Sequence, residues 1–361
     1  MKRDYSQFLP LTAKDGTTVQ EPSFLQKLGW QAFFIQQLTP EERERYRPAR
    51  VCEVHRINVR ILGDGLNTTI PLQADMAVGD WVLYDDASDT LHRVLARKSL
   101  MKRRNAGTER KIQNIAANMD TVFIVTSCNH DFNPARLERY IALAFEADVT
   151  PVIILTKADL CDNADDYLQQ ALSISPTVFA LTLNAHDTDV KRLLADWCGI
   201  GQSVAFLGSS GVGKSTLVNQ LRGDHVVETQ SIREQDSKGR HTTTSRQLHL
   251  LADGFVVIDT PGMRELQMSD VASGIAQLFD DLQTLSETCR FADCIHESEP
   301  GCAIQQGVTS GEIDPKRVAR WQKLAREEAF NTASLAERRS KDKAFGKMVR
   351  RVIKDKKKTR S

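Results

Sequence analysis

Three short runs of this chain carry residue types that bind phosphate, a divalent metal and a purine base. Residues 204–207 are apolar and lead into Gly208, Ser209, Ser210, Gly211, Val212, Gly213, Lys214, Ser215 and Thr216. This is G-x4-G-K-S after an expected strand and at the start of an expected helix. Its glycines let the backbone wrap phosphates with N–H groups, at a helix N-terminus that favours negative charge. In such a loop the lysine, here Lys214, reaches the β- and γ-phosphates, and the serine, here Ser215, ligates Mg2+. Residues 255–258 form a second apolar run, ending in Asp259, Thr260, Pro261 and Gly262. An acid that ends an apolar strand fits a carboxylate facing Mg2+. Gly262 lets a backbone N–H come close to the terminal phosphate. Residues 152–155 form the third run and lead into Thr156, Lys157, Ala158 and Asp159. A lysine and an aspartate at this spacing read guanine. The carboxylate accepts two hydrogen bonds from the base edge, a geometry adenine cannot satisfy, and such polar matching is strongly selective. Each run alone also reads as an ordinary turn or helix start. Together they predict a GTP site.

The order of the runs is unusual. The base reader precedes the phosphate loop, and the metal carboxylate follows it. A circular permutation keeps the site while moving the chain ends. Leu183, Asn184 and Ala185 end the next expected strand, where a second base contact would sit. Between the phosphate loop and Asp259 lie Gly239, Arg240, His241, Thr242, Thr243 and Thr244. Thr243 is the expected further Mg2+ ligand in this switch-type loop. Met263 stands after Gly262, where a water-orienting glutamine is common, and a thioether orients no water. His241 is the nearest candidate for that role, and the plainer reading makes it a surface or RNA-contacting residue.

Cys289, Cys294, His296 and Cys302 supply three thiolates and an imidazole within fourteen residues. Four such ligands fit a closed, structural tetrahedral Zn2+ site. Seven cysteines, an odd number, suit a reducing cytoplasm better than a disulfide framework.

These groups need elements to hold them. Residues 24–38 have apolar residues at helical spacing, which predicts one weakly docked helix. Runs at 51–62, 68–72, 81–84 and 91–95, with glycine turns between, predict a small closed barrel such as an OB-fold. From about 106 to 270 expected strands (121–127, 152–156, 178–183, 204–207, 248–251, 255–258) alternate with expected helices (134–147, 164–172, 190–197, 214–221). That alternation predicts an α/β domain with a mainly parallel sheet. Residues 271–332 read as helical around the Cys/His cluster.

Together these motifs resemble the circularly permuted GTPases of the RsgA (YjeQ) family, which act on the small ribosomal subunit. The carriers are Val78, Gly79, Asp80, Trp81 and Val82, then Thr156–Asp159, the phosphate loop, 239–244, Asp259–Gly262, and the Cys/His cluster with Glu299, Pro300, Gly301 and Cys302. The resemblance covers about residues 48–330. It implies an N-terminal OB-fold, a permuted GTPase domain and a C-terminal zinc domain. It also implies GTP hydrolysis stimulated by the 30S subunit, with contacts to 16S rRNA. The switch histidine, here His241, is the residue to which the family's catalysis is ascribed, beside Lys214, and a hydrophobic residue at Met263 is typical of it. Thr156 stands where asparagine is usual, and Asn184 where serine is common.

The expected organisation is an N-terminal extension at 1–47, an OB-fold RNA-binding domain at 48–105 and a permuted GTPase domain at 106–270. A zinc-binding helical domain at 271–332 and a basic tail at 333–361 follow. Net charge is +1, so the total exerts no pull toward nucleic acid, but its distribution does. Twelve Lys or Arg face two acids between Arg338 and Arg360. A second basic cluster runs from Arg97 to Lys111. No run is long enough to span a membrane, and no secretory signal opens the chain. A monomer with one structural Zn2+, and Mg2+ arriving with GTP, is expected. The competing readings are a GTP-liganded RNA-binding assembly factor with little turnover, which Met263 favours, and a P-loop kinase or ATPase, which Asp159 argues against.

Overall fold

The computed structural model describes residues 21–104, 112–187, 189–222, 246–259 and 270–332. The chain divides into two compact units, Met1–Leu266 and Gln267–Ser361.

Unit 1 opens with three short helices, α1 (Phe24–Lys27), α2 (Ala32–Ile35) and α3 (Pro40–Arg45). The single helix expected over 24–38 is broken at Gly29, whose φ is +92°. A Cβ there would sit 2.9 Å from both the Gly201 carbonyl oxygen and Arg50 Nη1. Close approach of two backbones thus overrides the helical pattern. Nor is the segment weakly docked. Leu28, Trp30 and Phe34 are buried, and Trp30 meets Trp81 edge-on at 4.7 Å.

Five antiparallel strands follow: β1 (Arg47–Val54), β2 (Asn58–Gly63), β3 (Leu66–Pro71), β4 (Trp81–Asp85) and β5 (Thr90–Val94). They pair in the order β3-β2-β1-β4-β5 around a core that includes Val51, Val59, Ile61 and Val82. The run at 51–62 is two strands, because His55, Arg56 and Ile57 turn the chain. Pairing of β3 with β5, which would close a barrel, is not seen among the described residues. A hairpin of β6 (Leu100–Arg104) and β7 (Ile112–Ala117) then forms its own two-stranded sheet. No strand was expected at 100–104 or 112–117.

The α/β part contains β8 (Thr121–Ser127), α4 (Pro134–Glu146), β9 (Thr150–Thr156), α5 (Ala164–Leu172), β10 (Phe179–Thr182), α6 (Val190–Leu193), β11 (Ser203–Leu207), α7 (Lys214–Arg222), β12 (Arg246–Leu250) and β13 (Val256–Asp259). Strands β10-β9-β8-β11-β13 run parallel and β12 is antiparallel to β13. Phe123, Val125, Ile154, Val204 and Val257 line the core with Leu217 and Leu221, one turn apart on α7. The helix expected over 190–197 stops at Leu193.

The two sheets are continuous. β1 pairs with β4 through residues 47–50 and with β12 at Glu53↔Gln247 and Val54↔Arg246, with a bulge between. Beside this seam lies Arg50, 1% exposed. Its Nε donates to the Gly79 carbonyl at 3.2 Å and its Nη2 to the Asn118 carbonyl at 2.9 Å. Its Nη1 donates to Ser203 Oγ at 2.8 Å and to the Leu28 carbonyl. Burial pushes its pKa down to about 10, opposed by Asp120 and Asp80, so it stays charged at neutral pH. One cation therefore ties the N-terminal helices, the first sheet and the base of β11 together.

Unit 2 has α8 (Ala272–Leu278), α9 (Asp280–Ser286), α10 (Ala303–Ser310) and α11 (Pro315–Thr332). Its small core includes Ile275, Phe279, Leu282, Ile304, Val318 and Trp321. Arg317 forks onto Asp281 at 2.6 and 2.9 Å, joining α11 to α9.

Candidate functional site

In a parallel sheet, ligands lie beyond the carboxyl ends of the strands. β9 ends in Thr156, β11 leads into Gly208, β13 ends in Asp259, and β10 leads into Leu183 and Asn184. The permuted order in the chain thus becomes one edge in space. A cavity of about 420 Å3 there is lined by Thr156, Lys157, Asp159, Asn184 and Ala185, and by Ser210, Gly211, Gly213, Lys214, Ser215 and Thr216. Leu160 and His186 line it too, and neither stood out in the sequence. Both simply flank the two runs expected to contact the base.

The phosphate loop has the backbone its glycines were expected to allow. Gly208, Gly211 and Gly213 have φ of +142°, +80° and +98°. A Cβ on Gly208 would stand 2.1 Å from the Val125 carbonyl oxygen, so only glycine fits beside β8. Val212 is buried, and Lys214 Nζ donates to the Gly208 carbonyl at 2.8 Å and to that of Ser209. This ammonium lies across the loop where phosphate oxygens would be drawn.

Thr156, which stands where asparagine is usual, has a structural place of its own. It is fully buried, and its hydroxyl lies 2.7 Å from the Val212 carbonyl and 3.1 Å from that of Thr126. Its work is to tie the end of β9 to the phosphate loop and to β8. Lys157 takes a left-handed φ of +59° and opens a single 3-10 turn over Ala158–Leu160 that carries Asp159. Asn184 Oδ1 accepts from the His186 N–H at 2.9 Å, which shapes the loop after β10.

Asp259 is placed by register. Ala205 pairs with Ile258, so Asp259 lies one step further along, beside the strand that feeds the phosphate loop. His241, Thr243, Gly262 and Met263 lie outside the described residues, as do residues 1–20, Arg110, Lys111 and the tail at 333–361.

In unit 2, Cys289, Cys294, His296 and Cys302 place their ligand atoms within 4.8 Å of one another. His296 Nδ1 is 3.6 Å from Cys289 Sγ and 3.5 Å from Cys302 Sγ, and the two sulfurs are 3.9 Å apart. A tetrahedral ion with bonds of about 2.3 Å to sulfur and 2.0 Å to nitrogen puts ligand atoms roughly 3.5–3.8 Å apart, so the set fits one. The backbone serves the sulfurs: Ala303 N–H donates to Cys289 Sγ at 3.4 Å and Gln305 N–H to Cys302 Sγ at 3.5 Å. Burial raises the Cys289 thiol, but the N–H groups of Ala303 and Ile304 together with Cys302 and Cys294 outweigh it and lower its pKa. Around the ligands, Glu299 accepts three backbone N–H bonds from Ile295, Glu297 and Ser298, which hold its pKa down to about 2. His296 has φ +61° and stacks on Trp321 at 5.4 Å. Gln305 Nε2 donates to its carbonyl at 2.6 Å.

The family model for RsgA GTPase matches residues 94–269. The small ribosomal subunit biogenesis GTPase RsgA 2 of Vibrio parahaemolyticus is 48% identical over 95% of this chain and 96% of its own length. The chain belongs to the RsgA GTPase family. The small ribosomal subunit biogenesis GTPase RsgA of Mesorhizobium japonicum is 49% identical over 88% of this chain and 93% of its own. Among solved structures, YjeQ from Thermotoga maritima matches with a TM-score of 0.58 at 24% identity, covering 77% of this chain and 97% of that one. YloQ, titled a circularly permuted GTPase, matches with a TM-score of 0.55 at 21% identity, covering 82% of this chain and all of YloQ. Family membership accounts for GTP hydrolysis, and the RsgA fold accounts for the permuted strand order.

Proposed function

We propose that this protein hydrolyses GTP while bound to the 30S ribosomal subunit, coupling the reaction to late maturation or checking of that subunit. One observation carries the reading. A single cavity collects a phosphate loop and a guanine-reading strand end that lie in reversed chain order, in a chain 48% identical to a small ribosomal subunit biogenesis GTPase.

Thr156, Lys157 and Asp159 hold the base, with Asp159 accepting from its edge. Backbone N–H groups from Gly208 to Thr216 and of Gly262 cradle the phosphates. Lys214 swings from the loop carbonyls to the β- and γ-phosphates and stabilises charge on the transferring group. Ser215, Asp259 and Thr243 would hold Mg2+, which would supply positive charge to offset that of the phosphates. His241 positions the attacking water in place of the glutamine that Met263 replaces. Cys289, Cys294, His296 and Cys302 hold one structural Zn2+. The proposed division sets an OB-type sheet at 48–105 between an extension at 1–47 and a GTPase domain at 106–270. The zinc domain spans 271–332 and the basic tail 333–361, and the OB-type sheet, zinc domain and tail contact 16S rRNA. The protein acts as a cytoplasmic monomer, and among the described residues no helix is long and apolar enough to cross a membrane.

GTP turnover by the purified chain, alone and with 30S or 50S subunits, tests the proposal. Slow turnover raised strongly by 30S alone is the expected result. Bound GTP with no stimulation would instead favour an assembly factor that uses GTP as a ligand.

A further inference from the structure

Two cysteines outside the metal cluster stand beside the base reader, and the chemistry described above uses neither. Cys128 directly follows β8 and is 4% exposed. Cys161 closes the 3-10 turn that carries Asp159 and is half-buried. Both are free thiols. Register brings them together. Ser127 pairs with Thr156 across β8 and β9, so the next residues, Cys128 and Lys157, leave the sheet side by side. The Cys128 N–H donates to the Thr156 carbonyl at 2.9 Å, and the Leu160 N–H to the Lys157 carbonyl at 3.1 Å. The second bond closes one tight turn, which folds Cys161 back toward Lys157. Further on, Phe132 and Tyr167 meet edge-on at 5.2 Å. The stretches 128–132 and 156–167 are thus tied at both ends, and the two cysteines lie within that contact.

The two thiols differ in kind. Burial pushes the Cys128 thiol up to about 11, and charge on Cys161 adds to the rise, so Cys128 stays protonated at neutral pH. Cys161 reaches solvent, with its Sγ 2.9 Å from Asn163 Oδ1. An accessible thiol beside a sheltered one is the arrangement of a sensing and a resolving cysteine. In a reducing compartment such a pair bonds transiently. The supports differ as well. β8 is held in mid-sheet between β9 and β11. The turn over Ala158–Leu160 is three residues long and is entered at Lys157 with φ +59°. A disulfide holds its Cα atoms within about 7 Å of each other, so when this pair closes, the turn moves and the strand stays.

We propose that Cys128 and Cys161 form a reversible disulfide in the presence of peroxide, and that the bond draws Asp159 away from the guanine base and weakens GTP binding. The proposal rests on the base-reading role given to Asp159 above and adds a modification site that governs it. Cys161 sulfur attacks hydrogen peroxide: an S–O bond forms, the O–O bond breaks, and hydroxide leaves as water with the thiol proton. The Cys128 sulfur then attacks the sulfenic sulfur: the S–S bond forms, the S–O bond breaks, and a second water leaves with the Cys128 proton. Two thiols are oxidised and one peroxide is reduced to two waters. Thiol–disulfide exchange with a dithiol reverses the bond. Linkage is reciprocal, so bound GTP opposes the same bond.

The test treats the full, zinc-loaded chain with hydrogen peroxide, quenches with catalase, alkylates and maps disulfides by mass spectrometry. Affinity for a fluorescent, non-hydrolysable GTP analogue with Mg2+ is measured before oxidation, after it, and after dithiothreitol. The expected result is a Cys128–Cys161 cross-link, nucleotide affinity lower by about tenfold or more, and recovery with dithiothreitol. Saturating analogue should lower the yield of the cross-link. Cys128→Ser and Cys161→Ser should each bind like the wild type before oxidation and keep that affinity after it. Dimedone should trap a sulfenic acid on Cys161 in Cys128→Ser. Cys52→Ser, in the first sheet, should respond as the wild type does. Melting curves check folding, and Cys128→Ala serves where Cys128→Ser melts early. Oxidation that joins other cysteines, or none, would overturn the site. A Cys128–Cys161 bond with unchanged affinity would overturn its control of the nucleotide. Asp159→Asn without oxidation tests the base reading apart: full GTP affinity in that variant would remove the reading beneath the proposal, whether or not the cross-link forms.

Discussion

The nucleotide site and the Cys/His site are built on opposite plans. The first gathers runs from 156 to 259 along one sheet edge and holds them by backbone: left-handed glycines, strand ends and the Thr156 hydroxyl on Val212. The second is assembled from residues 289–302 and held by side chains, with loop carbonyls and N–H groups tied by Glu299, Gln305 and Gln322. Unit 1 has an extensive buried core behind its site, whereas unit 2 has a small one. A small core is commonly completed by a metal. The first site should therefore survive loss of its ligand, and the second should not.

The largest expected effect tests this directly. Structural zinc contributes on the order of 10 kcal/mol to small domains. Chelation, or Cys302→Ala, should open unit 2 to proteolysis while nucleotide affinity in unit 1 changes less than about twofold, a margin of roughly 0.4 kcal/mol. Equal loss of both would show that the plans are not independent.

Next comes the base reader. Asp159→Asn should weaken GTP binding at least about a hundredfold, because guanine donors lose their carboxylate. It should favour a xanthine nucleotide, whose extra carbonyl accepts from the new amide, with unit 2's melting and metal content unmoved. Calorimetric titration with the two nucleotides checks it.

Acid should then distinguish the units. His249 on β12 is buried, with Arg222 and Arg60 adding to desolvation, so its pKa falls from 6.5 to about 4. The unfolded chain binds the proton first. Unit 1 therefore has its full stability above pH 6.5 and loses it as pH falls toward 4, by about 3 kcal/mol at most. Denaturation midpoints at pH 7 and pH 4.5 measure this, and His249→Gln should flatten the dependence.

The smallest effect falls on the loop that orders the ligands. Glu299 is held at about 2 against an ordinary 4.5, so its contribution is complete above pH 4.5 and fades as pH falls toward 2. Glu299→Gln should raise the rate of metal release from unit 2 a few-fold at neutral pH, read with a chromogenic chelator. An unchanged rate would show that the ligands, not the loop, set retention.

What could be read in the sequence follows the same division. Residues 208–216 were legible because phosphate wrapping demands glycine at fixed steps, and 289–302 because thiolates and imidazole crowd there. Strands such as β8 and β9 were legible as apolar runs. The break at Gly29 was not, since its cause is Gly201, far along the chain. The β6–β7 hairpin was missed because Lys102, Arg103 and Arg104 read as charge and not as strand. The β1–β12 seam and the four hydrogen bonds of Arg50 depend on long-range register, which no local pattern encodes.

That seam has a consequence for the exposed margins of the protein. A GTPase sheet ending at β12 would offer its outer N–H and C=O groups to any passing strand, the usual template for edge-to-edge association. Here the bulged end of β1 occupies that margin at Glu53 and Val54. The first sheet is in this sense a built-in guard for the second. A chain trimmed to begin after the β6–β7 hairpin would lose Arg50's anchor and expose a raw edge, and it would aggregate before it could be assayed.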